Sequence, residues 1–170
     1  ELVDTATLLR ARFGAAEYDL HFATNRPEDL EVAEDGSVFI ALTNNSSVRD
    51  SHGSVRRLRE LNNDPEALEF RWRDYAAGGP TGASDPGEQG FSSPDNLVFD
   101  KAGNLWVVTD ISTSRLNQAN EYAYHKNNAM FMVPTSGPNE GIAFRFANGP
   151  IEAELTGPYF TPDEQTLFVN

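Results

Sequence analysis

Apolar and polar residues alternate in short runs along most of this chain, and the runs come in pairs around turns. The clearest pair lies in Ser93–Asp110. There Leu97-Val98-Phe99 and Leu105-Trp106-Val107-Val108 flank an Asp100-Lys101-Ala102-Gly103-Asn104 turn, with Asp95 and Asp110 towards the two ends. Period-two alternation bounded by Gly, Asn, Asp and Pro predicts a strand, a turn and a strand. The same form occurs earlier. Leu30–Val32, Glu34-Asp35-Gly36 and Val38–Thr43 align with the central copy, Pro27 with Pro94, Glu28 with Asp95, Gly36 with Gly103 and Phe39 with Trp106. A looser third copy, Tyr159–Val169, lies near the end of the sequence. A recurring strand–turn–strand unit is the mark of a repeat architecture.

Further strands are predicted between the copies. Ser54–Glu60 alternates Val55 and Leu58 with arginines and reads as an exposed strand; Ala67–Trp72 places Leu68, Phe70 and Trp72 on one face. Ala129–Val133 and Gly141–Phe146 read as a pair across a Pro-Thr-Ser-Gly-Pro turn. Asn62–Pro65 is a turn, Gly78–Gly90 a long loop rich in Gly and Pro, and Ile111–Asn128 an irregular stretch with a helical turn near Leu116–Tyr122. Only Leu2–Tyr18 carries a helical stripe, with Asp4 as the N-cap and Gly14 near its stop. The expectation is a mainly β chain with an N-terminal helix, its strands in sets of about four, the pattern of β-propeller blades. About three blades, within 1–170 as one partial domain, fall short of the closed ring that hides sheet edges, so the chain reads as part of a larger, six-bladed ring.

Composition narrows the chemistry. The net charge of −13 argues against general nucleic-acid binding, which needs a basic face. It is compatible with a calcium-binding surface, although charge alone favours mere solubility. With no cysteine, thiolate metal sites, disulfides and cysteine nucleophiles are excluded within the chain. No apolar run approaches the length of about 20 residues that a membrane span needs. Glu1 opens the sequence without a signal peptide or initiator Met, which reads as a processed or truncated product.

Each repeat carries a carboxylate before its first strand: Glu28, Asp95 and, near the third, Glu154. Equivalent positions of successive blades face the same end of a propeller. Three hard oxygen ligands converging there would suit Ca²⁺, and the amides of Asn44, Asn45, Asn96, Asn127 and Asn128 could complete such a shell. The competing reading is that Pro-Glu and Pro-Asp are turn formers. Arg26, two residues before Glu28, points the same way on an extended segment; it could contact a phosphate or carboxylate, or form a salt bridge with Glu28. His21, His52 and His125 have no metal-ligand spacing and read as loop residues. Trp72 and Trp106 read as core, and Arg56, Arg57 and Arg59 as a solvated strand face.

Several segments together resemble the PhoX family of alkaline phosphatases: Arg-Pro-Glu-Asp (26–29), Ala-Leu-Thr-Asn-Asn (41–45), Ser-Pro-Asp-Asn-Leu-Val-Phe-Asp (93–100), Gly-Asn-Leu-Trp-Val-Val-Thr-Asp (103–110), Asn-Asn-Ala-Met-Phe (127–131) and Glu-Leu-Thr-Gly-Pro-Tyr-Phe-Thr-Pro-Asp (154–163). Their order and spacing match the family's C-terminal half. The resemblance implies an exported bacterial phosphomonoesterase on a β-propeller, periplasmic or secreted, with a mixed Ca²⁺ and Fe³⁺ cluster. It implies Glu28, Asp95 and Glu154 as metal ligands, Arg26 as the catalytic phosphate contact, and Asn44 and Asn96 as substrate contacts. The family's upstream half, with a cysteine that bridges irons, is absent here. The isolated chain is therefore expected to need that half or a second copy of itself, and to retain metal weakly and turn over no phosphoester alone. Two other readings remain: a non-catalytic calcium-binding propeller module, and a lactonase-like propeller hydrolase, which Pro-Asp-Asn-Leu-Val-Phe-Asp also resembles.

Overall fold

The computed structural model describes residues 25–45, 49–64, 66–80 and 90–170. The predicted helix over Leu2–Tyr18, His21 and most of the Gly78–Gly90 loop lie outside them. Among the described residues the chain is all antiparallel β with irregular connections. β1 (Pro27–Val32), β2 (Val38–Leu42), β3 (Ser54–Glu60) and β4 (Phe70–Ala77) form one four-stranded sheet in sequential order. β5 (Pro94–Phe99), β6 (Leu105–Thr109), β7 (Ala129–Val133) and β8 (Phe144–Asn148) form a second, and β9 (Tyr159–Phe160) and β10 (Leu167–Phe168) pair as a two-stranded ribbon.

The repeat read from sequence extends to backbone detail. The first hairpin turn closes with Ala33 N–H donating to Ser37 O at 2.8 Å, the second with Asp100 N–H donating to Asn104 O at 3.1 Å. Each has its glycine in the left-handed region, Gly36 at φ 79° and Gly103 at φ 80°, a conformation that carries a steric cost for any residue with a Cβ. In both sheets the β1–β2 type pairing has a bulge near the start of its first strand, and the third and fourth strands have another. Gly53, at the entry to β3, passes so close to β2 that a Cβ there would sit 1.9 Å from the Thr43 carbonyl oxygen.

The two sheets pack face to face, and this decides which half of each alternation is buried. Phe39, Ala41 and Val55 of the first sheet meet Leu97, Leu105, Val107, Phe131 and Val133 of the second in one core. Phe39 lies at its centre, edge-on to Tyr75 at 4.9 Å and to Phe99 at 5.4 Å between ring centroids. Trp106, the aligned partner of Phe39, therefore points away from this core, and it is half-buried rather than core. It packs instead against Phe146 and Phe160, at 4.9 and 5.4 Å, between the second sheet and the ribbon. Among the described residues nothing covers the outer face of the first sheet, where Leu30, Val32 and Trp72 are exposed.

Several expectations change accordingly. Ser54–Glu60 is an interior strand: Val55 is fully buried and β3 is paired on both sides. The fourth strand starts at Phe70, and Leu68 is fully solvent-exposed, because the apolar face of that stretch is turned outwards. Trp72 is exposed rather than core, with the Arg56 guanidinium stacked 4.0 Å from its ring centroid. Of the arginine cluster only Arg59 is exposed; Arg56 and Arg57 are largely covered. Arg57 sits over the Phe39 ring at 5.3 Å and pairs with Asp35 at 2.8 Å and Glu140 at 3.7 Å. These carboxylates offset a like-charge opposition across β3 and β4, where Arg57 faces Arg73. Asn62 and Asn63 adopt positive φ in a short 3-10 turn as the Asn-rich turn signal suggests. Residues 111–128 form successive turns and no helix, anchored by buried Ile111, Leu116 and Tyr122.

Candidate functional site

The matched bulges fall on the matched carboxylates. Along β1 and β2 the register steps from Pro27↔Leu42 to Asp29↔Ala41, so Glu28 is the extra residue. Along β5 and β6 it steps from Pro94↔Thr109 to Leu97↔Val107, which places the extra residue at Asp95-Asn96. A bulge bends the strand and re-aims the side chain it carries. Both bulges lie at the end of the sheets opposite the hairpin turns, where β2 and β6 also end. Asp29 locks them together: its Oδ2 accepts from the Leu97 N–H at 2.9 Å, across the two sheets.

Glu154 arrives differently. It is not on a strand at the position equivalent to Glu28 and Asp95 but on an irregular, exposed segment ahead of β9. Two asparagines hold that segment in place. Asn96 Oδ1 accepts from the Gly157 N–H at 2.8 Å and the Thr156 hydroxyl at 2.5 Å, and Asn128 Nδ2 donates to the Ala153 carbonyl at 3.0 Å. Asn128 is buried, and its Oδ1 also accepts from the Ile111 N–H at 2.6 Å. Its amide is thus fully engaged in the fold rather than completing a ligand shell. Asn127 likewise donates to the Gly149 carbonyl.

The acidic groups at this end sense one another. Asp95 is pushed up to about 6, first by burial and then by the charges of Asp110, Glu154, Glu28 and Asp29. Asp110 is raised by burial and by Glu28, with Arg26 acting against it. Glu154 is raised by Asp110 above all, then by burial. Asp110 was legible only as the acidic end of the central hairpin; it acquires its place because Thr109 pairs with Pro94, beside Asp95. Among the described residues no three His, Asp or Glu stand close enough to hold a metal ion by themselves. The carboxylates interact through their fields and do not share a contact point. Their chemistry fits a hard cation as part of a donor set: four carboxylates, and no softer ligand among them.

Arg26 bonds Glu28, Nη2 to Oε1 at 2.9 Å, so the salt bridge forms; the guanidinium still keeps 64% of its side-chain surface exposed. It lines a polar pocket of about 200 Å³ with Asn44, Ser93, Ser112, Arg115 and Glu121. Asn44 Nδ2 donates to Ser93 Oγ at 3.1 Å, and Ser93 is a non-glycine residue held at φ 53°. Such backbone strain persists where surrounding structure enforces it. Asn44 thus lies beside Arg26, whereas Asn96 holds the Glu154 segment. Larger depressions of about 500 Å³ near Asp100 and about 490 Å³ near Arg59 lie away from the carboxylates. Arg115 had no sequence signal, being one polar residue in an irregular stretch.

His52 and His125, distant in sequence, stand with ring centroids 5.5 Å apart. His125 is buried in a turn between strands, and burial first, with the His52 and Arg145 charges after it, lowers its pKa to about 4. His52 Nδ1 lies 3.1 Å from Ser92 Oγ. Neither faces the carboxylates in a ligand group.

A family model described as alkaline phosphatase PhoX matches residues 3–170. Among solved structures, Pseudomonas fluorescens PhoX in complex with vanadate, a transition state analogue, superposes with a TM-score of 0.82 and 33% identity. The match covers 96% of this chain and 31% of that one, so the chain spans about a third of the solved relative. No curated protein matches significantly.

Proposed function

The chain belongs to the alkaline phosphatase PhoX family, and from that premise we propose that it carries part of a metal-dependent site for phosphomonoester hydrolysis, releasing inorganic phosphate. The observation that carries this reading is the gathering of Glu28, Asp95, Asp110 and Glu154 with Arg26 at one end of two matched sheets. Carboxylates gathered so that the charges of their neighbours raise the pKa of Asp95, Asp110 and Glu154 are a costly arrangement for solubility alone and a useful one around a cation.

In this reading Glu28, Asp95 and Glu154 hold Ca²⁺ or Fe³⁺, with Asp110 beside them. A bound cation would offset the charge of the phosphoryl oxygens and make the attacking water more acidic. Arg26 offers the free side of its guanidinium to the phosphate and stabilises charge that builds in the transition state. Its bond to Glu28 fixes its direction. Asn44 and Ser93 lie next to it as a hydrogen-bonded pair, and Asn96 acts by holding the Glu154 segment.

We also read the sheets as blades of a larger ring, together a single domain. The support is the sequential four-strand order and the face-to-face packing of one sheet on the next. The uncovered outer face of the first sheet fits docking of a preceding blade. The 31% coverage of the solved relative is consistent with this. Family membership supports a periplasmic or secreted location, which cell fractionation checks; no helix among the described residues is long and apolar enough to cross a membrane.

Hydrolysis of p-nitrophenyl phosphate by the protein at its full natural length should disappear on chelation and return with added Ca²⁺ and iron. Turnover that survives chelation contradicts the reading. Metal retention with no hydrolysis would favour a binding module, and lactone opening without phosphate release a lactonase-like enzyme.

A further inference from the structure

One polar pocket has two arginines in its wall. Arg26, bonded to Glu28, and Arg115, bonded to Glu121, both line it. Resting on the phosphatase reading above, we propose that this pocket receives the alcohol portion of the phosphomonoester, and that Arg115 selects small polyhydroxylated alcohols, as in polyol and sugar phosphates, over apolar aryl groups.

Lining chemistry is the first argument. Ser51 and Ser112 line it beside the hydrogen-bonded Asn44–Ser93 pair, and it carries both signs of charge, Arg26 and Arg115 against Asp50 and Glu121. A hydroxyl-rich group both donates and accepts, so it satisfies both signs; an aryl group would leave them desolvated and unpaired. Volume is the second. About 200 Å³ is below the usual range for drug-sized ligands and suits a short polyol or one sugar ring.

Construction is the third. Arg115 is presented by a platform that the fold builds for it. Ile111, Leu116 and Tyr122 bury the segment, and the Tyr122 hydroxyl donates to the Ser51 carbonyl at 2.7 Å. The Arg115 carbonyl accepts from Asn120 Nδ2 at 2.9 Å, and its N–H donates to the Ser112 carbonyl at 2.8 Å. Glu121 Oε1 receives Nη1 at 3.0 Å and the Tyr122 ring lies 5.5 Å from the guanidinium carbon, which together direct the group while 52% of the side chain stays exposed. In the reaction a water oxygen bonds to phosphorus as the ester P–O bond breaks. The departing oxygen takes a proton and leaves as the alcohol, while the phosphate stays with Arg26.

Steady-state kinetics of Arg115→Ser and Arg115→Lys in the metal-loaded protein at its full natural length test this, with glycerol 2-phosphate and glucose 6-phosphate against p-nitrophenyl phosphate. Arg115→Ser should raise KM for the polyol and sugar esters about tenfold, the scale of one lost charged hydrogen bond. Its KM for the aryl ester should fall, because the charge an aryl group leaves unpaired is gone, and its circular dichroism should match that of the unaltered protein. Arg115→Lys should recover part of the loss. Equal losses on all three esters, or no change on any, overturn the inference and leave the phosphatase reading standing. If the unaltered protein hydrolyses none of the three, the phosphatase reading itself falls and this inference with it.

Discussion

Asp95 concentrates the argument at the scale of single residues. A Pro-Asp pair before a strand reads equally well as a turn former, and nothing in the local sequence separates the two roles. The three-dimensional surroundings do, because burial and neighbouring carboxylates push it up to about 6 from its ordinary 3.8. The consequence for stability has a definite sign. Between those values the native metal-free protein binds more protons than the unfolded chain, so its stability falls as pH rises from about 4 to about 6. Urea midpoints of the metal-free protein should drop across that window, and Asp95→Asn should flatten the drop and stabilise the protein at about pH 7. A drop that persists unchanged in the variant would place its origin elsewhere. Glu28, Asp95 and Arg26 were legible because the repeat and the family segments name them. Asp110 and Arg115 were not: the one enters through strand register, the other through a turn platform with no periodic signal.

Among elements, the hairpins and their four-strand grouping could be read with bounds within a few residues, since period-two alternation and Gly turns are local properties. The bulges at Glu28 and Asp95 could not, because an extra residue has meaning only against its partner strand. Nor could the buried face of each strand. Phe39 and Trp106 align, yet one fills the core and the other faces away, because successive sheets present opposite faces to a shared core. The exposed row Val32, Trp72 and the neighbouring Leu30 follows from the same geometry. Covering such half-exposed side chains is worth on the order of 1 kcal/mol each. The 170-residue chain alone should accordingly bind a hydrophobic dye or self-associate in sedimentation, and Val32→Lys with Trp72→Lys should suppress this. A chain that is monomeric and silent to the dye would argue against a docking role for the face.

Across the whole molecule, two matched sheets, a ribbon and a tied loop build one end that gathers acidic groups around an arginine. Net charge alone favoured plain solubility over cation binding. The case for a cation comes from where the charges sit. Elemental analysis of the protein at its full natural length, beside a Glu28→Ala, Asp95→Ala double variant of verified fold, tests this most directly. Loss of bound metal together with phosphomonoester turnover is the predicted result, whereas metal content and turnover equal to those of the unaltered protein would contradict it.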